Sequence, residues 1–105
     1  MSEETKTPNP LVELDPLIHA PARLNIVTNL YVVESADFIF LKNLTGLTWG
    51  NLSAHISKLE EAGYVEVEKT IVNKKTHSVA ALTEVGRAAF DEYKQKMMEI
   101  LENNE

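Results

Sequence analysis

The sequence predicts a mainly α chain with one small β-hairpin, an α+β fold, on three observations. Apolar residues recur at three- and four-residue steps in four segments between about 21 and 101, the period drops to two across Tyr64–Leu82, and Gly46 and Gly63 stand where helices must stop. At 105 residues, 44% apolar and 25% charged, the chain has the length and composition for one domain with a single core.

Residues 1–13 are polar, contain Pro8 and Pro10 and show no periodicity, so they read as a loose arm ahead of a domain over 14–105. Asp15-Pro16 predicts the start of a short helix: Asp accepts orphan amide hydrogens, and Pro loses nothing by lacking one. Pro21 breaks that helix and starts another over about 21–33, with Leu24, Val27, Leu30 and Tyr31 at helical spacing. Ser35 is placed to cap a helix running to Leu44. Gly46 closes it and frees Thr48 to cap a helix over about 49–62, whose buried stripe is Leu52, Ile56 and Leu59 and whose stop is Gly63. Two strands follow, joined by a polar turn at Asn73-Lys74-Lys75-Thr76, and Thr83 caps a last helix reaching about Leu101.

Composition narrows the function. Without cysteine there is no disulfide, thiolate metal site or thiol sensor, and the scattered His19, His55 and His77 make no metal motif; no cofactor is expected. Apolar runs such as Leu30–Val33 are far too short for a membrane span, and Glu3 and Glu4 do not fit a secretory leader, so a cytoplasmic protein is expected. No nucleophile elbow, phosphate loop or paired-histidine motif supports an enzyme, and Glu60-Glu61 and Asp91-Glu92 diverge on their helices as solvated pairs.

Helix, helix, tight turn, helix, hairpin, helix is the order of a winged helix-turn-helix. The run Phe38-Ile39-Phe40-Leu41-Lys42-Asn43-Leu44-Thr45-Gly46-Leu47-Thr48 and the run Asn51–Val65 resemble the small prokaryotic winged-helix regulators related to the MarR and ArsR groups. The flanks His19–Leu24 and Leu82–Arg87 are similar too, so the likeness covers about residues 15–101. It implies a sequence-specific DNA-binding transcriptional regulator that acts as a homodimer through its terminal helices. By the same resemblance the helix over about 48–62 is the recognition helix, entering the major groove, and the wing over about 69–77 lies on the flanking backbone or minor groove.

The implied contact set on the helix is Thr48, Trp49, Asn51, Ser53, Ala54, Ser57 and Lys58; on the wing it is Lys69, Asn73, Lys74, Lys75, Thr76 and His77. Asn51, Ser53, Ser57 and Lys58 would reach base edges while the other lysines hold phosphates. Trp49 stands where the family has a small or acidic residue, which leaves two readings open: an indole packed at the base of the wing, or one touching a sugar or thymine methyl.

A net charge of −6 is unfavourable for meeting phosphates, so the distribution decides. Between Phe38 and Leu59 the ionisable residues are Lys42, His55 and Lys58, and between Lys69 and Thr83 they are Lys69, Lys74, Lys75 and His77, with no acid in either stretch. DNA contact is therefore favoured over lysines that merely solvate a turn. The alternative function is a winged-helix module that binds protein rather than DNA. His55 is expected to be hydrogen-bonded and partly buried, His19 structural, and His77 free to gain charge near pH about 6.5 and strengthen phosphate binding.

Val27, Leu30, Tyr31, Tyr93, Met97, Ile100 and Leu101 form apolar stripes that either close the core of the chain or bury against a second copy, and the dimer is favoured. A small apolar effector would fit near Tyr31 and Tyr93, though the residues specify none.

Overall fold

The structure, a computed structural model, describes residues 13–102; the expected arm, save Glu13, lies outside them. In chain order come α1 (Pro21–Val32), β1 (Ala36–Asp37), α2 (Phe38–Thr45), α3 (Trp49–Glu61), β2 (Val65–Val72), β3 (Lys75–Leu82) and α4 (Glu84–Glu102). The three strands form one antiparallel sheet in the order β1-β3-β2, with Val65 opposite Leu82 at the base of the hairpin and Val72 opposite Lys75 at its tip. Helices and sheet close over one core that includes Ile18, Ile26, Val27, Leu30, Leu41, Leu52, Ile56, Leu59, Val65, Ala80 and Phe90.

The expected helix at Asp15-Pro16 is a single turn instead. Asp15 does cap it, with Oδ1 accepting from the Leu17 amide at 2.8 Å. Pro21 has no N–H to donate to the Leu17 carbonyl four residues back, so that oxygen is taken by Arg23 Nε at 2.6 Å and the chain restarts as α1. The turn nonetheless delivers Ile18, fully buried, to the core.

The cap of α2 also moves. Ala36 and Asp37 are drawn into an extended pair with Ala80 and Val79 of β3, which keeps the backbone out of the helix until Phe38. Asp37, rather than Ser35, then caps α2, its Oδ1 accepting from the Ile39 amide at 2.6 Å. Downstream the local signals hold. Gly46 is left-handed at φ +72°, and Thr48 Oγ1 accepts from the Asn51 amide at 3.1 Å. Gly63, at φ +81°, closes α3 with paired bonds from the Gly63 amide to Glu60 O and the Tyr64 amide to Leu59 O, both 2.9 Å.

The start of α4 is fixed against that closure. Thr83 Oγ1 donates to Gly63 O at 2.5 Å and accepts from the Gly86 amide at 3.0 Å, while the Thr83 amide donates to Tyr64 O at 3.0 Å. Gly86 is buried against the Tyr64 backbone so closely that a Cβ there would lie 2.1 Å from Tyr64 O. Only glycine fits at that contact, and the contact sets the angle at which α4 leaves the hairpin.

Candidate nucleic-acid interface

The interface begins with how α3 is held. Leu52, Ile56 and Leu59 are buried, which fixes the rotation of the helix about its axis and leaves Thr48, Trp49, Gly50, Asn51, Ser53, Ala54, Ser57 and Lys58 exposed. All seven of the expected helix residues are therefore on accessible surface. His55, at the edge of the buried stripe, is held by Arg23, whose Nη1 donates to His55 Nδ1 at 3.1 Å. Burial, then the nearby Arg23 and Lys58 charges, push the His55 pKa below 6.5, so the ring is neutral at pH 7 and accepts that bond. Because Arg23 also holds Leu17 O, one guanidinium ties α3 to the segment before α1.

The wing is a tighter hairpin than the polar stretch suggests. Lys75 and Thr76 are already in β3, and the turn is Asn73-Lys74 alone, with φ of +51° and +66°. Both signs are those of a type I′ turn, whose twist matches the flanking strands. Asparagine tolerates this conformation well. Lysine does not, and a non-glycine residue kept in the left-handed region costs about 1–2 kcal/mol. The wing thus carries a cation at a position where glycine would be the less strained choice. Lys69, Asn73, Lys74, Lys75 and Thr76 are all exposed.

The two parts meet. Trp49, Asp37, Phe38 and Ile39 on one side and Thr76, His77 and Ser78 on the other line an open cleft of about 340 Å³. Trp49 is about half exposed, at 49%, and the Lys42 ammonium sits 5.4 Å from its ring centroid. The indole therefore stands at the base of the wing without being buried there, and it brings a cation with it that the sequence-derived contact set omits. Lys42 in the last turn of α2 and Trp49 in the first turn of α3 flank the Gly46 turn, which is the signal that could have paired them.

One carboxylate also enters this cleft. Asp37 lies just before the acid-free stretch, and its Oδ2 accepts from His77 Nδ1 at 2.7 Å while Oδ1 caps α2. Both its oxygens are engaged. His77 is thus bonded to a carboxylate through Nδ1, with Nε2 left as its other hydrogen-bonding group. Glu66 and Glu68 alternate with Val65, Val67 and Lys69 onto the face of the hairpin opposite Thr76 and Ser78, the face that by register also carries Thr70, His77 and Lys75.

The expected dimer residues separate into two groups. Val27 and Leu30 are fully buried and Tyr93 nearly so, within the chain itself, and they have no surface left for a partner. Tyr93 is used internally, with its hydroxyl 2.9 Å from His19 Nδ1, which gives His19 the structural role expected of it. Tyr31 is half-buried. Its hydroxyl donates to Asp91 Oδ1 at 2.5 Å, and its ring lies between Arg87 and Lys94, at 4.9 and 4.4 Å from the centroid. What remains apolar and accessible is the end of α4, where Leu101 is 66% exposed, Met98 lies alongside, and Met97 and Ile100 are half-covered.

A second cleft, of about 300 Å³, gathers Glu13, Asp15, Tyr64, Glu92, Tyr93 and Lys96. These groups satisfy one another. Tyr64 donates its hydroxyl to Asp15, which with burial pushes its pKa up to about 12, and Lys96 is held in its charged form by Glu92 at 2.9 Å. Neither supplies a base at neutral pH, so the cluster reads as a clamp between the Asp15 turn and α4 rather than as acid–base machinery. Among the described residues no helix is long and apolar enough to cross a membrane.

The family described as Winged helix DNA-binding domain matches residues 22–101. An uncharacterized protein of Methanocaldococcus jannaschii is 34% identical over 89 residues, covering 85% of this chain and 97% of that protein. Among solved structures, a transcriptional regulator homologue protein from Pyrococcus horikoshii OT3 superposes with a TM-score of 0.77 at 27% identity, over 82% of this chain and 85% of the other. A candidate MarR-like transcription regulator from Bacillus cereus ATCC 10987 shares the fold at a TM-score of 0.67 and 19% identity, over 86% of this chain and 67% of that one. The resemblance drawn from Phe38–Val65 and its flanks is borne out. With the match running from the first turn of α1 to the last turn of α4, across the helices and hairpin described above, the chain belongs to the winged-helix DNA-binding domain family.

Proposed function

We propose that the protein is a transcriptional regulator that binds double-stranded DNA as a homodimer, with α3 in the major groove and the β2–β3 wing on the adjoining backbone or minor groove. The observation that carries this is the shared cleft: Trp49 at the start of α3 and Thr76–Ser78 of the wing face the same space, with a lysine held in a strained left-handed turn at the wing's tip. Strain of that kind persists where a side chain is needed at one place. Asn51, Ser53, Ser57 and Lys58 offer donors and acceptors to base edges, and Gly50 and Ala54 keep the helix surface low enough for close approach. Lys42, Lys69, Lys74 and Lys75 supply the phosphate contacts that orient it.

Few cations per copy means weak binding by one copy, and pairing two half-sites raises the effective affinity without new contacts. Met98 and Leu101, with Met97 and Ile100 at their flanks, form the apolar face available for that pairing. The function is tested by titrating the protein into labelled genomic duplexes at two salt concentrations. A regulator loses affinity steeply as salt rises, and Lys74→Ala with Lys75→Ala weakens binding to all sequences alike. Binding absent at low salt, or indifferent to salt and to those lysines, would instead favour a module that docks on protein.

A further inference from the structure

Ile71 is 77% exposed, more than any other large apolar side chain among the described residues, and nothing in the chain accounts for it. Its face is defined by the strand period: Val65 and Val67 point into the core, and Lys69 and Ile71 continue the same face beyond the core's edge. Across the hairpin Ile71 pairs with Thr76 and Lys69 with Ser78, and Thr76 and Ser78 both line the cleft that contains Trp49. The carboxylates of β2, Glu66 and Glu68, are on the other face. The residue therefore projects from the face of the wing that carries Thr76 and Ser78, with Lys69 on the same face and the strained Lys74 at the turn beside it.

We propose that Ile71 is an apolar wedge that enters the minor groove of duplex DNA and bends it, while the surrounding lysines hold the phosphates on either side. This rests on the DNA-binding reading and adds to it a contact that charge does not provide. The charges select the occupant, because an isoleucine flanked by Lys69 and Lys74, on the face away from Glu66 and Glu68, is complementary to a polyanion with an apolar sugar lining. Apolar side chains inserted at a base step partly unstack it and bend the duplex, and steps that unstack easily are thereby preferred without a base hydrogen bond.

The test compares the unaltered protein with Ile71→Thr, which keeps the β-branch that suits a strand, and with Lys74→Ala, on a duplex selected from a random pool and carrying a donor and an acceptor dye at its ends. The wedge predicts that Ile71→Thr weakens binding about tenfold, shifts the end-to-end distance toward that of straight DNA, and leaves the salt dependence unchanged. Lys74→Ala is the converse, lowering the salt dependence. Melting curves and sedimentation of the variants accompany both. Ile71→Thr that binds and bends like the unaltered protein overturns the wedge while leaving the regulator intact, and loss of dimer in that variant overturns it in favour of self-association. An unaltered protein that binds no duplex removes both proposals together.

Discussion

Replacing Lys74 by glycine should move stability and DNA binding in opposite directions. At φ +66° the lysine bears about 1–2 kcal/mol of left-handed strain that glycine would not. Against this, glycine adds about 0.5–1 kcal/mol of unfolded-chain entropy, so the net gain is about 0.5–1 kcal/mol. For a domain of this size that raises the melting temperature by a few degrees, at about 4–8 °C per kcal/mol. The same substitution removes one cation from each wing. At about 0.9 counterions per phosphate neutralised, a dimer loses about two from the slope of log affinity against log salt. Urea denaturation supplies the first quantity and fluorescence anisotropy at several salt concentrations the second. Lys74→Ala is the control that separates them, since it keeps the strained backbone and loses the charge. If Lys74→Gly destabilised the hairpin, the strain attributed to that turn would be absent; if it left the salt slope untouched, Lys74 would not contact phosphate.

Three further outcomes follow from the packing. Gly86→Ala gains helix propensity worth about 1 kcal/mol but must displace the Tyr64 carbonyl 2.1 Å away, and overpacking against backbone should leave a net loss of about 2 kcal/mol or more in urea denaturation. The depressed His55 pKa means that the unfolded chain takes up a proton before the folded one does, so stability is fully present above 6.5 and falls as the pH drops through and below that value; His55→Gln should flatten this part of the profile of stability against pH. Met98→Glu with Leu101→Glu puts carboxylates on the apolar end of α4, and sedimentation should show monomer at concentrations where the unaltered protein is dimeric, with melting temperature changed little because both side chains are exposed.

The features legible in the sequence are those decided within a few residues. Thr48 as a cap, Gly46 and Gly63 as left-handed stops and Leu52, Ile56 and Leu59 as a buried stripe each depend on local backbone chemistry, and each stands as read. What the residues did not disclose depends on distant partners. Ser35 and Asp37 are equally good caps in isolation, and the choice falls to Asp37 because β3, more than forty positions on, pairs with Ala36. The same distance hid the Asp37–His77 bond. An apolar stripe likewise says that a surface is buried without saying by what, and Val27, Leu30 and Tyr93 turn out to belong to the core of the chain while Leu101 does not. The turn Asn73-Lys74 was visible as polar sequence, but that only two residues carry it, both left-handed, follows from the register of the strands.

The central claim is that α3 and the wing present one surface to a duplex. Recording backbone amide shifts of the labelled protein while adding a selected duplex tests it directly, with intensity changes mapped along the chain. The amides of Thr48–Lys58 and Lys69–Ser78 should move together at the same DNA concentration, with the hydrogen-bonded first turn of α4 still. Changes confined to α4, or to one of the two segments without the other, would contradict it.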